Sequence, residues 1–484
     1  MKPVVHYTIR QKVFINVVFV ILVVAGAFAA FTTPLENMPT VDMGQVFIRT
    51  VYFGASAKDV ETLVTTEIED ALDGLENVEY IQSESYRNFS NVHVKFIDDS
   101  DYEALYDDLR FRVLNVRAEL PAEVDEPVFT YVDTDVWLPV VVVNITGDIP
   151  QRSLELYAEQ LRTRLITIPQ VRDAEIEGDF EQEFHVSLDP ERLRRFGVTF
   201  NQAANAVASA NTKIPTGRFR QGEAEFMLDA GARIQSQRQI LDVIVRKDGD
   251  GNFIRVADLV TTARMSHRDP ILIPSVNGRN TVRLRVTKEV YANAVEISEA
   301  VKAASRQFAA EYAQDGIQVV FTNDSTIEIN DALSTLGGNL ALGMALVLVV
   351  LWLGLGLGNA LLTSIGIPFS FLCAILIMKI TGVSLNTISL FAFVLVTGIM
   401  VDDAVIIMEN IFRHRQMGKR RYQAVVDGTS EVMIPVVSSA LTTILAFVPM
   451  LIMTGSTGEF FSYIPKTVTY ALAASLIEAL FILP

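Results

Sequence analysis

Residues 398–410 read GIMVDDAVIIMEN, with LFAFVLVT directly before them. Two adjacent carboxylates, Asp402 and Asp403, interrupt an apolar run long enough to cross a bilayer, which takes roughly 20 residues. A charge at the bilayer centre costs about 2.5–3.5 kcal/mol even on the lenient insertion scale. On a helix the two aspartates point about 100° apart, so they need not share a proton. Asp402 aligns with Gly398 and Glu409, and Asp403 with Asn410, giving a polar stripe along the helix. Arg413 is too far away, at roughly 16 Å along the axis, to draw either acid to the interface. Burial and like-charge repulsion both make a carboxyl group hold its proton more tightly, into a range where protons can be exchanged. The stripe therefore reads as a proton relay in a transporter. The plainer alternative is a structural pair held by a cation on another helix. Lys379 and Lys466 sit near helix ends, and no apolar run carries Lys or Arg at its middle.

Working outward, 50% of the 484 residues are hydrophobic, and they are unevenly spread. Residues 13–33 form one apolar run, longer than a signal-peptide core and preceded by Lys2, Arg10 and Lys12, so it reads as an uncleaved helix. Five further spans are expected at about 334–354, 361–380, 387–411, 433–453 and 466–484. The loop 412–421, FRHRQMGKRR, is basic without an acid, which places it in the cytoplasm and residues 34–333 outside. The sequence ends at Pro484, within or just after the sixth span, which reads as a cut. In that span Glu478 is a further intramembrane carboxylate, with Ala471, Ala474 and Ser475 beside it as a small-residue stripe. It reads either as part of a proton pathway or as a neutral helix-bonding group.

The acidic segment between the first two spans carries a repeated pattern. Strand 45–54, helix 57–75, two strands, helix 102–120 and strand PVFTYV spell β-α-β-β-α-β, a split ferredoxin-like unit. A second such unit starts at 138–146 and resumes at 281–288, with residues 181–272 inserted between its halves. The boundaries expected are 34–134 for the first unit, 135–180 with 273–333 for the second, and 181–272 for the insertion. The fold class is thus a multi-pass α-helical membrane protein with a large α+β insertion.

A net charge of −17 argues against nucleic acid as a partner. One cysteine, Cys373, allows no internal disulfide, and no GxxxxGK[ST] loop is present for ATP. The five histidines show no metal-ligand spacing, so neither an enzyme nor a metal site is expected.

GIMVDDAVIIMENIFRH resembles the fourth-helix signature of the resistance–nodulation–division efflux permeases. FGASAKDVETLVTTEIEDALDGLENVEYIQSES, DPERLRRFGVTFNQAANAVASAN and FVPMLIMTGSTGEFF resemble the same family, in order along the whole chain. The Asp-Asp form is closer to its hydrophobe/amphiphile branch. The resemblance implies an inner-membrane exporter driven by the proton gradient and without a cofactor. It implies a homotrimer working with a periplasmic adaptor protein and an outer-membrane channel. The two ferredoxin-like units become porter subdomains and 181–272 a docking subdomain. Family members have about twice this length, and their aspartates pair with a lysine of the other half. Drug-exporting relatives line the second porter subdomain with phenylalanines, whereas this chain has Glu175 and Glu177 there. The other readings are a relative that moves lipids or exported polypeptides, and an inactive amino-terminal fragment.

Overall fold

The computed structural model describes residues 2–178, 180, 182–211, 214–221, 224–230, 234–247, 252–267 and 272–484. Among them, six helices are long and apolar enough to cross a membrane. They are Lys12–Thr32, Ser325–Leu355, Leu357–Ile380, Thr387–Gln416, Arg421–Leu451 and Gly455–Ile477, the last running on into a π-helical turn, Glu478–Ile482. They are called the first to sixth spans below. The second, fifth and sixth begin 9 to 12 residues earlier than their apolar runs suggest. Apolarity marks only the bilayer core, while backbone hydrogen bonding carries a helix on until something stops it. The gap of six residues expected between the second and third spans shrinks to Gly356 alone. Its φ of +84°, a left-handed value that glycine adopts freely, ends one helix and starts the next.

The third, fourth and sixth spans form the inside of the bundle, around Phe371, Ala374, Phe393, Val396, Met400, Val468 and Leu472. The first, second and fifth leave large apolar side chains uncovered, such as Phe31, Leu353 and Leu445. Exposed apolar surface of this extent fits lipid or further helices.

Four antiparallel strands build one sheet in the order Val78–Tyr86, Phe89–Phe96, Asp42–Val51, Val128–Asp133. Strict alternation along Asp42–Val51 sends Val46 and Ile48 inward. There they meet Val64, Ile68 and Leu72 of one helical stretch and Leu109 and Val113 of another. A second sheet has Val171–Glu177, Arg279–Lys288, Val141–Thr146 and Gln318–Thr322 in that order, with Ser275–Val276 paired to Arg279–Lys288. Numbered by chain position, the four strands of each β-α-β-β-α-β unit stand in the same order, 2-3-1-4.

The chain divides into two compact units, one of Met1–Ile145, Ala158–Glu175 and Arg283–Pro484, the other of Thr146–Tyr157 and Ile176–Val282. The second unit holds the pair Gln182–Leu188 with Val260–His267, and helices Pro190–Phe196 and Phe200–Ala210. Its small core is Val198, Ala203, Ile254 and Leu259. The inserted stretch expected at 181–272 lies partly outside the described residues.

The second span starts at an N-cap, Asp324, whose carboxylate accepts from Thr326 N, Thr326 Oγ1, Ser298 Oγ and Lys302 Nζ at 2.7–3.1 Å. Burial opposes its ionisation, but the hydrogen bonds from Lys302, Thr326 and Ser298 outweigh it and hold the group below the ordinary carboxylate range. A depressed carboxylate stabilises the fold fully above its unfolded value near about 4, and the contribution fades as pH falls below that. Asp324→Asn keeps a good helix cap but not the charge. The variant is expected to melt several degrees below wild type at neutral pH, with the gap closing in acid. An equal gap at both extremes, read by thermal melting, would assign the effect to the cap and not to the charge.

Candidate functional site

The fourth span carries the site. Asn386 caps it in a reciprocal pair with Ser389, each backbone N–H donating to the other side chain at 2.9 Å. Arg413, His414 and Arg415 close its last turn, where cations suit the helix dipole. Along it the structure divides the predicted polar stripe between two faces. Asp403 and Asn410 are buried, while Gly398, Asp402 and Glu409 are exposed. The 100° step between the aspartates is enough to do this. Neither aspartate has an ion-pair partner among the described residues.

Asp403 and Glu478 are both buried, and the fourth span packs against the turn that carries Glu478. Glu478 is 3% exposed, at the start of the π-helical turn after the sixth span. Its carboxyl group fits because Gly366 of the third span has no side chain; a Cβ there would stand 2.7 Å from Glu478 Cδ and Oε1. The small residues before Glu478 serve the same close packing. Ser475 Oγ donates to Met400 O at 3.1 Å, and Ala474 packs with Phe369 and Cys373. A void of about 10 Å³, roughly the room one water needs, lies among Thr363, Gly366, Ser370, Met400, Ser475 and Glu478.

At its C-terminal end the fourth span is tied to the fifth. Asn410 Nδ2 donates to Gly428 O at 2.7 Å. Glu431 accepts from Arg413 Nη2 at 2.8 Å, and its other oxygen lies 2.6 Å from His414 Nε2. Gly428 lets the helices touch, since a Cβ there would be 2.8 Å from Ile411 Cα. A cavity of about 630 Å³ opens beside this tie, lined by Leu351, Glu409, Asn410, Arg413, Gln416 and others. Glu431 was missed in the sequence because the apolar run of the fifth span starts two residues after it. The signal available was an acid facing a strongly basic loop. No group of three His, Cys, Asp or Glu among the described residues is placed to hold a metal ion.

Taken together, the inside of the bundle offers two buried carboxyl groups, hydroxyl groups and water-sized space. That arrangement can bind and pass protons. Comparison with known proteins gives this geometry its context. A profile of the AcrB/AcrD/AcrF family matches residues 4–484. The chain is 25% identical over 470 residues to the multidrug resistance protein MdtC of Escherichia coli O9:H4 (strain HS), and equally to that of E. coli K12. These alignments cover 96% of this chain and 45% of each relative. The chain thus spans about half the length of the curated relatives it matches. With its profile match running through nearly every residue, the chain belongs to the AcrB/AcrD/AcrF family of permeases, which are transporters and not enzymes.

Proposed function

We propose that the full-length protein is a proton-driven exporter of small amphiphilic or hydrophobic compounds, with Asp402 and Asp403 as its proton-carrying groups. The observation that carries this reading is Asp403, a carboxylate buried inside the bundle, together with Glu478, a second buried carboxylate just past the sixth span. Intramembrane acids are expensive and face protein or water, where they serve ion pathways. One proton moved across 100 mV supplies about 2.3 kcal/mol to work against a substrate gradient. Glu478 joins the pathway from beyond the sixth span, and Gly398, Glu409 and Asn410 flank the aspartates along the fourth. The cavity at Glu409 and Arg413 is the inner mouth from which protons leave. No cofactor is needed beyond the proton gradient.

In this reading the six spans lie in the inner membrane and residues 34–333 in the periplasm. The two repeated sheets act as porter subdomains, at 34–134 and at 135–180 with 273–333, and 181–272 as a docking subdomain. The working assembly is a homotrimer with a periplasmic adaptor and an outer-membrane channel. The shared strand order of the two sheets and the MdtC relatives, named for multidrug resistance, support this arrangement.

The test is transport by the full-length protein in proteoliposomes. An imposed pH gradient should drive an amphiphilic dye across the membrane, and a proton ionophore should stop it. Dye movement of equal rate with and without the gradient would overturn the proposal.

A further inference from the structure

Lys288 lies at the end of the strand Arg279–Lys288 and is buried with two acids. Its Nζ is 2.7 Å from Glu36 Oε1 and 3.1 Å from Asp135 Oδ1, and all three side chains are more than nine-tenths buried. Thr40 Oγ1 donates to Asp135 Oδ2 at 2.8 Å. Glu36 Oε2 and the hydroxyl of Ser325 are also buried, and neither has a partner among the described residues. A void of about 20 Å³ lies against Asp135, Lys288 and Ser325, enough for one water.

The places of these residues in the chain give the cluster its meaning. Glu36 follows the first span, and Ser325 opens the second. Asp135 lies between the last strand of the first sheet and Val141–Thr146 of the second. The backbone of Leu35–Glu36 pairs in parallel with Leu385–Asn386, and Asn386 is the cap of the fourth span. Leu385 N donates to Pro34 O and Thr387 N to Asn37 O, each at 3.1 Å. Glu36 is thus held by its backbone to the outer end of the helix that carries Asp402 and Asp403. Its side chain holds the second sheet.

We propose that the Glu36–Lys288–Asp135 cluster is the joint that passes movement of the fourth span to the second sheet, with Lys288 as its positioning residue. The inference rests on the transport reading above. Asp403 lies 17 residues from Asn386, about 26 Å of continuous helix, so a shift at the acid reaches the cap without a hinge. Contiguity alone does not establish coupling. The physical reason lies in the contact. An apolar contact can slide, but three buried charges cannot separate gradually without exposing uncompensated charge in a poorly polarisable interior. Stability alone is a weak explanation, because buried ion pairs can often be replaced by apolar groups without loss.

The test uses the full-length protein in proteoliposomes and measures substrate moved per proton, proton uptake and melting temperature. The neutral variant Glu36→Gln/Asp135→Asn/Lys288→Met should take up protons as wild type does. Its substrate-per-proton ratio should fall about tenfold, the size of a typical coupling factor. Lys288→Arg, which keeps the charge, should recover most of the ratio. A wild-type ratio in the neutral variant would make the cluster a structural feature only and overturn the inference. Should that variant fail to assemble, Glu36→Asp decides. It keeps every charge but shortens the reach by one methylene, and an unchanged ratio there overturns the inference equally. Gradient-independent export by the wild type would overturn the transport reading, and this inference with it.

Discussion

Asp403→Asn in the full-length protein is expected to reduce export to the level of cells lacking the protein, with expression and assembly unchanged. Asparagine matches aspartate in shape and keeps its carbonyl acceptor, but cannot take up or release a proton. Asp403 is buried, and its place in the bundle is filled equally well by the amide. Any penalty for the charge at mid-membrane, about 2.5–3.5 kcal/mol, is removed by the change, which offsets the cost of burying the amide. A loss of export would therefore report chemistry and not stability. The same outcome is expected for Asp402→Asn, although Asp402 occupies the exposed face of the helix. Export in cells, with assembly checked by size-exclusion chromatography, measures both. Near wild-type export by either variant would remove that carboxylate from the relay.

Glu478→Gln should also cost most of the export while the protein still assembles. The glutamine fits the site beside Gly366 and retains hydrogen-bonding capacity without a titratable proton. Gly366→Ala approaches the same group from the other side. The added Cβ would stand 2.7 Å from the carboxyl, so Glu478 must move although its chemistry is intact. Overpacking of this kind costs about 1–3 kcal/mol, and the variant should export poorly with a lowered melting temperature. If Glu478→Gln exports like wild type across the neutral pH range, Glu478 is a packing residue and Gly366→Ala acts through stability alone.

The sequence showed the membrane helices because hydrophobicity over a span is a strong local signal. Their ends were less clear. Nothing between Ser325 and Leu333 breaks a helix, so the second span begins well before its apolar run. The acid pair was visible because it contradicts its surroundings. Its division between two faces follows from the helical repeat, but which face is buried depends on the third and sixth spans. Glu431 escaped notice because it sits at the edge of an apolar run, where an acid contradicts nothing. Lys288 and Glu36 are 252 residues apart, and no local pattern announces such a contact. Each reads alone as an ordinary charged residue of a soluble lobe; only the packing shows that both are buried.

The tie at Glu431 and Gly428 joins the C-terminal end of the fourth span to the fifth, while its N-terminal end is packed through Leu390 and Phe393 and paired to Leu35–Glu36. A rigid helix that tilts about one end is a lever. Asp403 stands seven residues from Asn410, about 10 Å from the fulcrum, whereas Asn386 stands about 36 Å away. A tilt about the tie that began at the acid would arrive at the N-terminal end enlarged about three- to fourfold. By that ratio, a sub-ångström adjustment around one carboxyl group would become an ångström-scale stroke at Asn386.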